Sequence, residues 1–588
     1  DGSWNKLLTH YIYNPLYEAS LGSYDKGEQF YLNTILNLRV EVLKGLRMEG
    51  QFSLNKSKDD TEVFVSPQSN TFNDVVTEEK GSITVSNTKR MTYEGRLMLT
   101  YNKMFGESTL LNVLGGGTIS SSDGNSNSYS GVGIFSDKLA HPAFTSRYPE
   151  NGRPTGSQDI ERSMGFFVNG NMIYDNRYFL DVAIRYEGSS KFGSDQRYAP
   201  FWSVGGGWNI HKEKFMPTSA TDVLKLRASV GYTGNASFSP YQAITTYKYS
   251  NDYRYYAGVG ALPITMGNMD LKWQRTLKMN YGVTGGFLND RLRVEFDYYV
   301  EKTKDMLIPI DVPLSMGVDN VKVNLGSAKN AGLDFSISGQ IIQKKDWSWM
   351  LTVNGGHVYD KIEKISNALQ RTNSETTSSD EWNAPKIQFK EGESQYAIYA
   401  MRSAGIDPAT GKEVYINKNG EYTFDYSYDD QVVVGNTNPT IQGSIFTSFR
   451  YKGFSLSVSA AYTLGGDIYN TTLAKKVENI NIKENVDRRA FTERWKEIGD
   501  ETRFLGIPES GWATYLSERF VERKNELSIS NINLQYEFNV EKLKLFGLKR
   551  LVVGIGASDI GRLSTVKFER GTSYPYCRSF NFILRPTF

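Results

Sequence analysis

The last nine residues set the pattern that recurs along the chain. Phe580, Phe582, Leu584, Pro586 and Phe588 alternate with Asn581, Ile583, Arg585 and Thr587. Side chains in a strand alternate between two faces, so this segment is an extended strand with an apolar face and a mostly polar one. The chain stops on an aromatic residue at its end. A strand of this kind closes an outer-membrane β-barrel, although a soluble sandwich also ends on a strand.

The same alternation runs through the N-terminal third. Leu32, Thr34, Leu36, Leu38, Val40 and Val42 alternate with Asn33, Ile35, Asn37, Arg39 and Glu41. Lys44-Gly45 makes a tight turn, and Leu46, Met48, Gly50, Phe52 and Leu54 follow with polar residues between them. A polar stretch is expected from Asn55 to about Asn87. A second hairpin then turns near Gly106, between strands around Leu97–Tyr101 and Thr109–Ile119. Another polar stretch is expected from Ser120 to about Asp159.

The middle of the chain is clearer still. Tyr178, Leu180, Val182, Ile184 and Tyr186 oppose Asp181, Arg185 and Glu187. Leu292, Val294, Phe296, Tyr298 and Val300 oppose Arg291, Arg293, Glu295, Asp297 and Glu301. In a soluble sandwich the charged side would be the wet face. In a large barrel it is the water-filled lumen, with the apolar side toward lipid.

Short connections are predicted at Asp175-Asn176, Asn289-Asp290, Lys344-Lys345-Asp346 and Lys452-Gly453. Long polar, aromatic-rich segments fall over roughly residues 233–270, 304–326, 360–395 and 465–523. Short turns at one end and long loops at the other are the asymmetry of outer-membrane barrels. A propeller or sandwich would space its strands more evenly. The count is roughly 16 to 18 strands. One helix is predicted, Val486 to Ile498, because Phe491, Trp495 and Ile498 share a helical face. Tyr178, Tyr186, Phe449, Tyr451, Phe454 and Tyr462 sit near strand ends, as girdle aromatics do at the two membrane interfaces.

Composition sharpens this reading. Only 39% of the 588 residues are hydrophobic, yet there are 37 Tyr, 31 Phe and 54 Gly. Mean hydropathy is −0.45. No run of about 18 apolar residues exists, so the sequence contains no transmembrane helix. Low hydropathy with many aromatics fits strands that are apolar on one side only. The formal net charge is +2, and no basic stripe argues for nucleic acid. The single cysteine, Cys577, excludes an internal disulfide framework and a thiolate metal cluster. The sequence starts at Asp1 without a signal peptide, so export is inferred and the N-terminus is expected further upstream.

No catalytic constellation is visible, and no cofactor is implied. The four histidines, His10, His141, His211 and His357, are far apart and lack paired metal-ligand spacing. His357 falls on the apolar face of a strand. Asp123 to Ser128, DGNSNS, begins like a calcium loop but lacks glycine at its sixth position, and Ile134 stands where the twelfth-position Glu belongs. It is expected to be a solvated polar loop. Gly131 to Gly133 and Gly205 to Gly207 do not fit a phosphate-binding pattern, and the second lies in a strand. Ligand binding is expected at the long-loop rim, where sugar rings would stack on aromatics. Tyr253, Tyr255, Tyr256 and Trp382 are the candidates.

Longer motifs are more specific. Arg185 to Gly193, RYEGSSKFG, with Arg197 to Trp208, RYAPFWSVGGGW, resembles a signature of SusC/RagA-type TonB-dependent outer-membrane transporters. So do the runs Asn268 to Leu307, Asn324 to Gly339, Gly405 to Tyr415, Gly435 to Thr440 and Arg562 to Phe582. These cover most of the chain in the expected order. The resemblance implies an all-β transmembrane antiparallel barrel of about 22 strands around an N-terminal plug. It implies a SusD-like surface lipoprotein as a hinged lid. A TonB–ExbB–ExbD complex would pull on an N-terminal box to displace the plug. Cargo would be oligosaccharides, sometimes peptides, and the transporter–lid pairs would often dimerise. The location would be the outer membrane of a Gram-negative, Bacteroidota-type bacterium.

The plug, the TonB box and the first barrel strands have no counterpart here. Residues 1–588 therefore read as the C-terminal part of the barrel, since a barrel short of strands would leave unpaired edges in lipid. The rival readings are a passive porin, a surface receptor or adhesin, and an outer-membrane hydrolase.

Overall fold

The computed structural model describes residues 13–150, 152–216, 221–236, 238–256, 258–365, 385, 387–480, 486–507, 514–538, 547–567 and 577–588. Its dominant feature is one antiparallel sheet of 17 strands, inside the expected range. In chain order the wall begins with β1 (Tyr24–Leu43), β2 (Leu46–Val65), β3 (Ser82–Phe105) and β4 (Thr109–Val132). It continues through β5 (Thr155–Tyr174), β6 (Tyr178–Ser189), β7 (Tyr198–Asn209) and β8 (Thr221–Asn235). Next come β9 (Gln274–Phe287), β10 (Leu292–Lys304), β11 (Ser327–Gln343) and β12 (Trp347–Lys364). The last are β13 (Ile441–Tyr451), β14 (Phe454–Leu464), β15 (Glu526–Phe538), β16 (Arg550–Ser564) and β17 (Ser579–Thr587). Each strand pairs with the next in the chain. Among the described residues, the free edges of β1 and β17 have no strand partner.

The predicted short turns all form. Gly45 has φ +84°, Asp175 and Asn176 have φ 51° and 54°, and Asn289 and Asp290 have φ 59° and 58°. Positive φ at both central positions matches the twist of the flanking strands, and Asn, Asp and Gly reach it most easily. The predicted short connections Lys344–Asp346 and Lys452–Gly453 lie at the same end.

Register then carries one face across many strands. Leu36 faces Phe52, Phe52 faces Gly95, Gly95 faces Ile119, and Ile119 faces Met164. On the far side of the wall Leu534 faces Ile555, and Ile555 faces Phe582. These rows stand open to the surroundings, with Phe166 at 56% and Phe582 at 70% exposure. So continuous an apolar band is unstable in water and is satisfied by hydrocarbon. The other face is polar: Asn37 faces Gln51, Gln51 faces Arg96, and Arg96 faces Thr118. Ion pairs bridge this inner side, including Arg39–Glu49 at 2.8 Å and Lys278–Glu301 at 2.8 Å.

Aromatics collect at the two levels expected of girdles. Tyr178 stacks between Tyr174 and Trp208 at the short-turn end, at 6.5 and 6.4 Å between ring centroids. Trp347–Tyr451 and Phe454–Tyr536 sit at the same level, at 4.3 and 4.5 Å. Higher up, Tyr186 stacks on Tyr198 at 5.5 Å.

Two stretches read as polar loops are wall instead. β2 runs on to Val65 and β3 resumes at Ser82; β4 runs to Val132 and β5 resumes at Thr155. Asp123 to Ser128 therefore lies inside β4, paired with β3 and β5, rather than in a solvated loop. Beyond the membrane both faces meet water, so the apolar–polar alternation stops while backbone pairing continues. A ladder of hydroxyls replaces it: Thr84–Ser130 at 2.8 Å, Ser86–Ser128 at 2.7 Å, and Thr88–Ser126 and Thr92–Ser122 each at 3.0 Å.

The predicted helix Val486–Ile498 shrinks to one turn, Arg489–Thr492. Phe491 is 52% and Ile498 80% exposed, so the supposed stripe buries little. Arg494 donates instead to the carbonyls of Ala490 at 2.9 Å and Val477 at 3.0 Å. The Trp495 amide donates to Phe504 O at 3.2 Å, drawing the chain out of the helix. Non-local hydrogen bonds outweigh the local periodicity here.

Candidate functional site at the long-loop rim

The long connections fold into packed structures at the end of the wall opposite the short turns. The largest joins residues 397–436 to residues 467–480, 486–507 and 514–523. Ala400, Tyr469, Leu473, Val477, Phe504 and Phe520 form its buried core. A π-helix, Leu473–Glu478, carries Glu478 into this core. Such wide turns are rare and often mark functional positions. There Arg519 donates to Glu478 Oε2 and to Glu413 Oε2, each at 2.7 Å. All three side chains are buried. Arg519 thus ties three separate loop segments together with charge-assisted bonds.

Beside the triad lies an aromatic group. Tyr426 stacks on Tyr515 at 4.7 Å and meets Tyr415 edge-on at 5.6 Å. Lys390 lies 4.1 Å above the Tyr399 ring. Burial, reinforced by Glu393, pushes the Tyr399 hydroxyl up to about 12. Burial, with Lys418 nearby, holds Lys390 below the usual lysine value. Tyr399 and Tyr415 are buried, so this aromatic group packs the interior of the rim.

A second cluster sits above β6 and β7. Phe192 is buried against Trp273, with ring centroids 4.5 Å apart, and against Ala199 and Phe201. The Trp273 indole donates to Arg197 O at 3.0 Å. Gly193 packs so tightly that a Cβ there would lie 1.7 Å from the Met269 carbonyl oxygen. Next to it is a cavity of about 410 Å³ lined by Arg162, Lys191, Arg197, Tyr241 and Met269, among others. A cavity of about 900 Å³ lies between residues 266–272 and 310–325. Both are large enough for part of a sugar or peptide. Phe192→Ala is expected to cost about 3 kcal/mol locally, the usual cost of emptying a buried aromatic site. Faster amide exchange confined to residues 189–197 and 269–273 is the measurement that checks it.

Sequence reasoning placed ligand binding at the long-loop rim and named four aromatics there. Tyr253 and Tyr255 lie on a small hairpin strand, Thr246–Tyr255, within the loop rather than in coil. Tyr256 is in its turn, fully exposed, and lines neither cavity. Trp382 lies outside the described residues. Phe580, Phe582, Leu584 and Phe588 are exposed on or just after β17. Arg519 and Glu478 carry no local signal, because the cluster is brought together from distant segments, and Glu413 lies inside the family-like run Gly405 to Tyr415. Phe192 and Trp273 had one: both sit inside the family-like motifs.

His141 Nδ1 accepts from its own turn, and His357 Nδ1 lies 3.3 Å from Pro439 O. No group of three His, Cys, Asp or Glu among the described residues is arranged to hold a metal.

A family model described as TonB dependent receptor-like, beta-barrel, matches residues 2–480. The chain belongs to this family. As a TonB-dependent receptor barrel, it has its apolar band in an outer membrane. Its relatives agree. The TonB-dependent receptor P39 of Formosa agariphila is 24% identical over 597 residues, covering 93% of this chain and 56% of that protein. The TonB-dependent receptor SusC of Bacteroides thetaiotaomicron is 28% identical over 389 residues, covering 64% of this chain and 38% of that protein. Among solved structures, the RagAB peptide transporter superposes with a TM-score of 0.83 at 23% identity, over 96% of this chain and 62% of that one. At that identity the likeness establishes the shared fold. The chain spans about half the length of the curated relatives it matches.

Proposed function

We propose that this chain is the C-terminal part of the barrel of an energised nutrient importer. Ligand is captured at the long-loop rim beneath a SusD-like surface lipoprotein. A TonB–ExbB–ExbD complex, acting through a plug, then drives release into the periplasm. The cargo is an oligosaccharide or a peptide, and dimers of transporter–lid pairs are the expected assembly. The observation that carries the proposal is the pairing of a family TonB-dependent receptor wall with a rim of packed loops. A passive porin would need no such built rim and no energy input.

Further strands are proposed to complete the barrel between the free edges of β1 and β17. The physical support is the cost of unpaired backbone in hydrocarbon, several kcal/mol for each exposed group.

The test is uptake of labelled oligosaccharide and peptide pools by cells carrying the full-length protein, with and without the energy-coupling protein. Uptake of one pool should fall at least tenfold without coupling, while surface binding persists. Uptake that continues unchanged would identify a porin. Binding with no uptake in either strain would identify a receptor or adhesin.

A further inference from the structure

The two cavities beside the Phe192 cluster adjoin. Met269 lines both, and Gln196 on the wall of the larger is followed by Arg197 on the wall of the smaller. The smaller carries Arg162, Lys191 and Arg197, and no carboxylate lines it. Lys191 is paired with Glu161 at 3.0 Å. Asp195, in the same turn, is exposed and accepts from the Ser194 hydroxyl at 3.1 Å. Asp123 lies opposite Ile160 and accepts from Gln158 at 3.4 Å. Arg162 and Arg197 are exposed, and neither has an ion-pair partner among the described residues.

One turn holds both arginines. The Arg162 amide donates to Ser190 Oγ at 2.9 Å, and the Ser190 amide donates to Arg162 O at 2.9 Å. The Ser189 amide donates to Arg197 O at 3.1 Å, the carbonyl that also accepts from the Trp273 indole. The buried contact of Phe192 with Trp273 fixes the turn. Two guanidinium groups anchored in this way are preorganised for one carboxylate, the anion that matches their planar fork.

The larger cavity has the opposite character. Met269, Ile310, Met316, Val321, Val323 and Leu325 line it. Asn268 and Asn324 line it too, but their amides are committed to backbone. Asn268 donates to Lys322 O at 2.9 Å; Asn324 accepts from the Lys272 amide at 2.9 Å and donates to Lys272 O at 2.8 Å. Lys272 is paired with Asp305 at 3.0 Å. Gln196 and Asp270 are the polar side chains left to meet a ligand. A saccharide's many hydroxyls would lose hydrogen bonds against these aliphatic walls. No aromatic ring lines this cavity for a sugar face to stack on. Methionine and branched aliphatic side chains instead suit an apolar side chain of variable shape.

We propose that the joined cavities bind the C-terminal end of a peptide. Its carboxylate lies between Arg162 and Arg197, and an apolar side chain fills the space beyond Met269. This names the cargo class at the rim and rests on the import reading above.

The experiment uses the full-length protein, purified from outer membranes together with the lipoproteins that accompany it. Calorimetry compares trialanylleucine, its C-terminal amide, tetraalanine and trigalacturonate. Trialanylleucine should bind at least tenfold more tightly than its amide and severalfold more tightly than tetraalanine. Arg162→Gln with Arg197→Gln should abolish the preference for acid over amide and keep that for leucine over alanine. Met316→Gln, at an exposed position, should do the reverse. A general loosening of the rim would not separate the two preferences. Equal binding of acid and amide by the parent protein would overturn the site, as would unchanged preferences in the variants or no binding of any probe. Tighter binding of trigalacturonate than of trialanylleucine would give the arginines to acidic saccharides and overturn the peptide. Energy coupling does not enter these measurements, so such failures leave import standing. Uptake that persists without the coupling protein would overturn import and leave this site in place.

Discussion

Replacing Arg519 with methionine is expected to unfold the rim while leaving the wall intact. The substitution leaves Glu413 and Glu478 buried without their cation. Breaking one partner of a buried ion pair typically costs about 3–5 kcal/mol, because the remaining charge is desolvated and unpaired. The loop assembly has a small core, so a loss of that size exceeds what it can absorb. Limited proteolysis should open new sites within residues 397–436 and 467–523. Heat-modifiable migration, a property of the wall, should not change. Ligand uptake should fall at least tenfold. The matching control replaces all three residues, Arg519→Met with Glu413→Leu and Glu478→Leu. Well-packed apolar substitutes for a buried triad are often neutral or stabilising, so protease resistance should largely return. Resistance in the single variant equal to that of the parent would show that the triad does not hold the rim.

The second large effect tests which medium covers the outer band. Leu97→Arg places a cation on the outward face, near the middle of the β3 crossing. A charge there costs about 2–4 kcal/mol at the bilayer midplane. Gln51→Arg places the same cation on the inner face, beside Arg96. That neighbour adds a modest repulsion in a water-filled lumen, but the site needs no hydrocarbon desolvation. Assembly into the outer membrane should therefore drop severalfold for Leu97→Arg and change little for Gln51→Arg. Equal assembly of the two variants would contradict the orientation of the wall.

The residues behind these two effects were legible to different degrees. Leu97 and Gln51 could be assigned to opposite faces from alternation alone, because strand periodicity is local and each residue reports its own side. The turns at Lys44-Gly45 and Asp175-Asn176 were equally visible, since positive φ restricts which residues can occupy them. Arg519 could not be found in this way. Its partners come from segments 41 and 106 residues away, and no spacing rule connects them.

Alternation, turn chemistry and the family-like motifs were enough to indicate an outer-membrane β-wall of roughly 16 to 18 antiparallel strands with long loops at one end, and the structure has 17. Those features are written residue by residue, because a bilayer makes the same demand at every outward position. Three-dimensional packing settled how far β2 to β5 rise above the membrane, where hydroxyl pairing replaces apolar contrast. It also reduced the Val486–Ile498 helix to one turn and brought Glu413, Glu478 and Arg519 into one buried cluster. Each of these depends on energy shared between distant segments, which no local window of sequence contains.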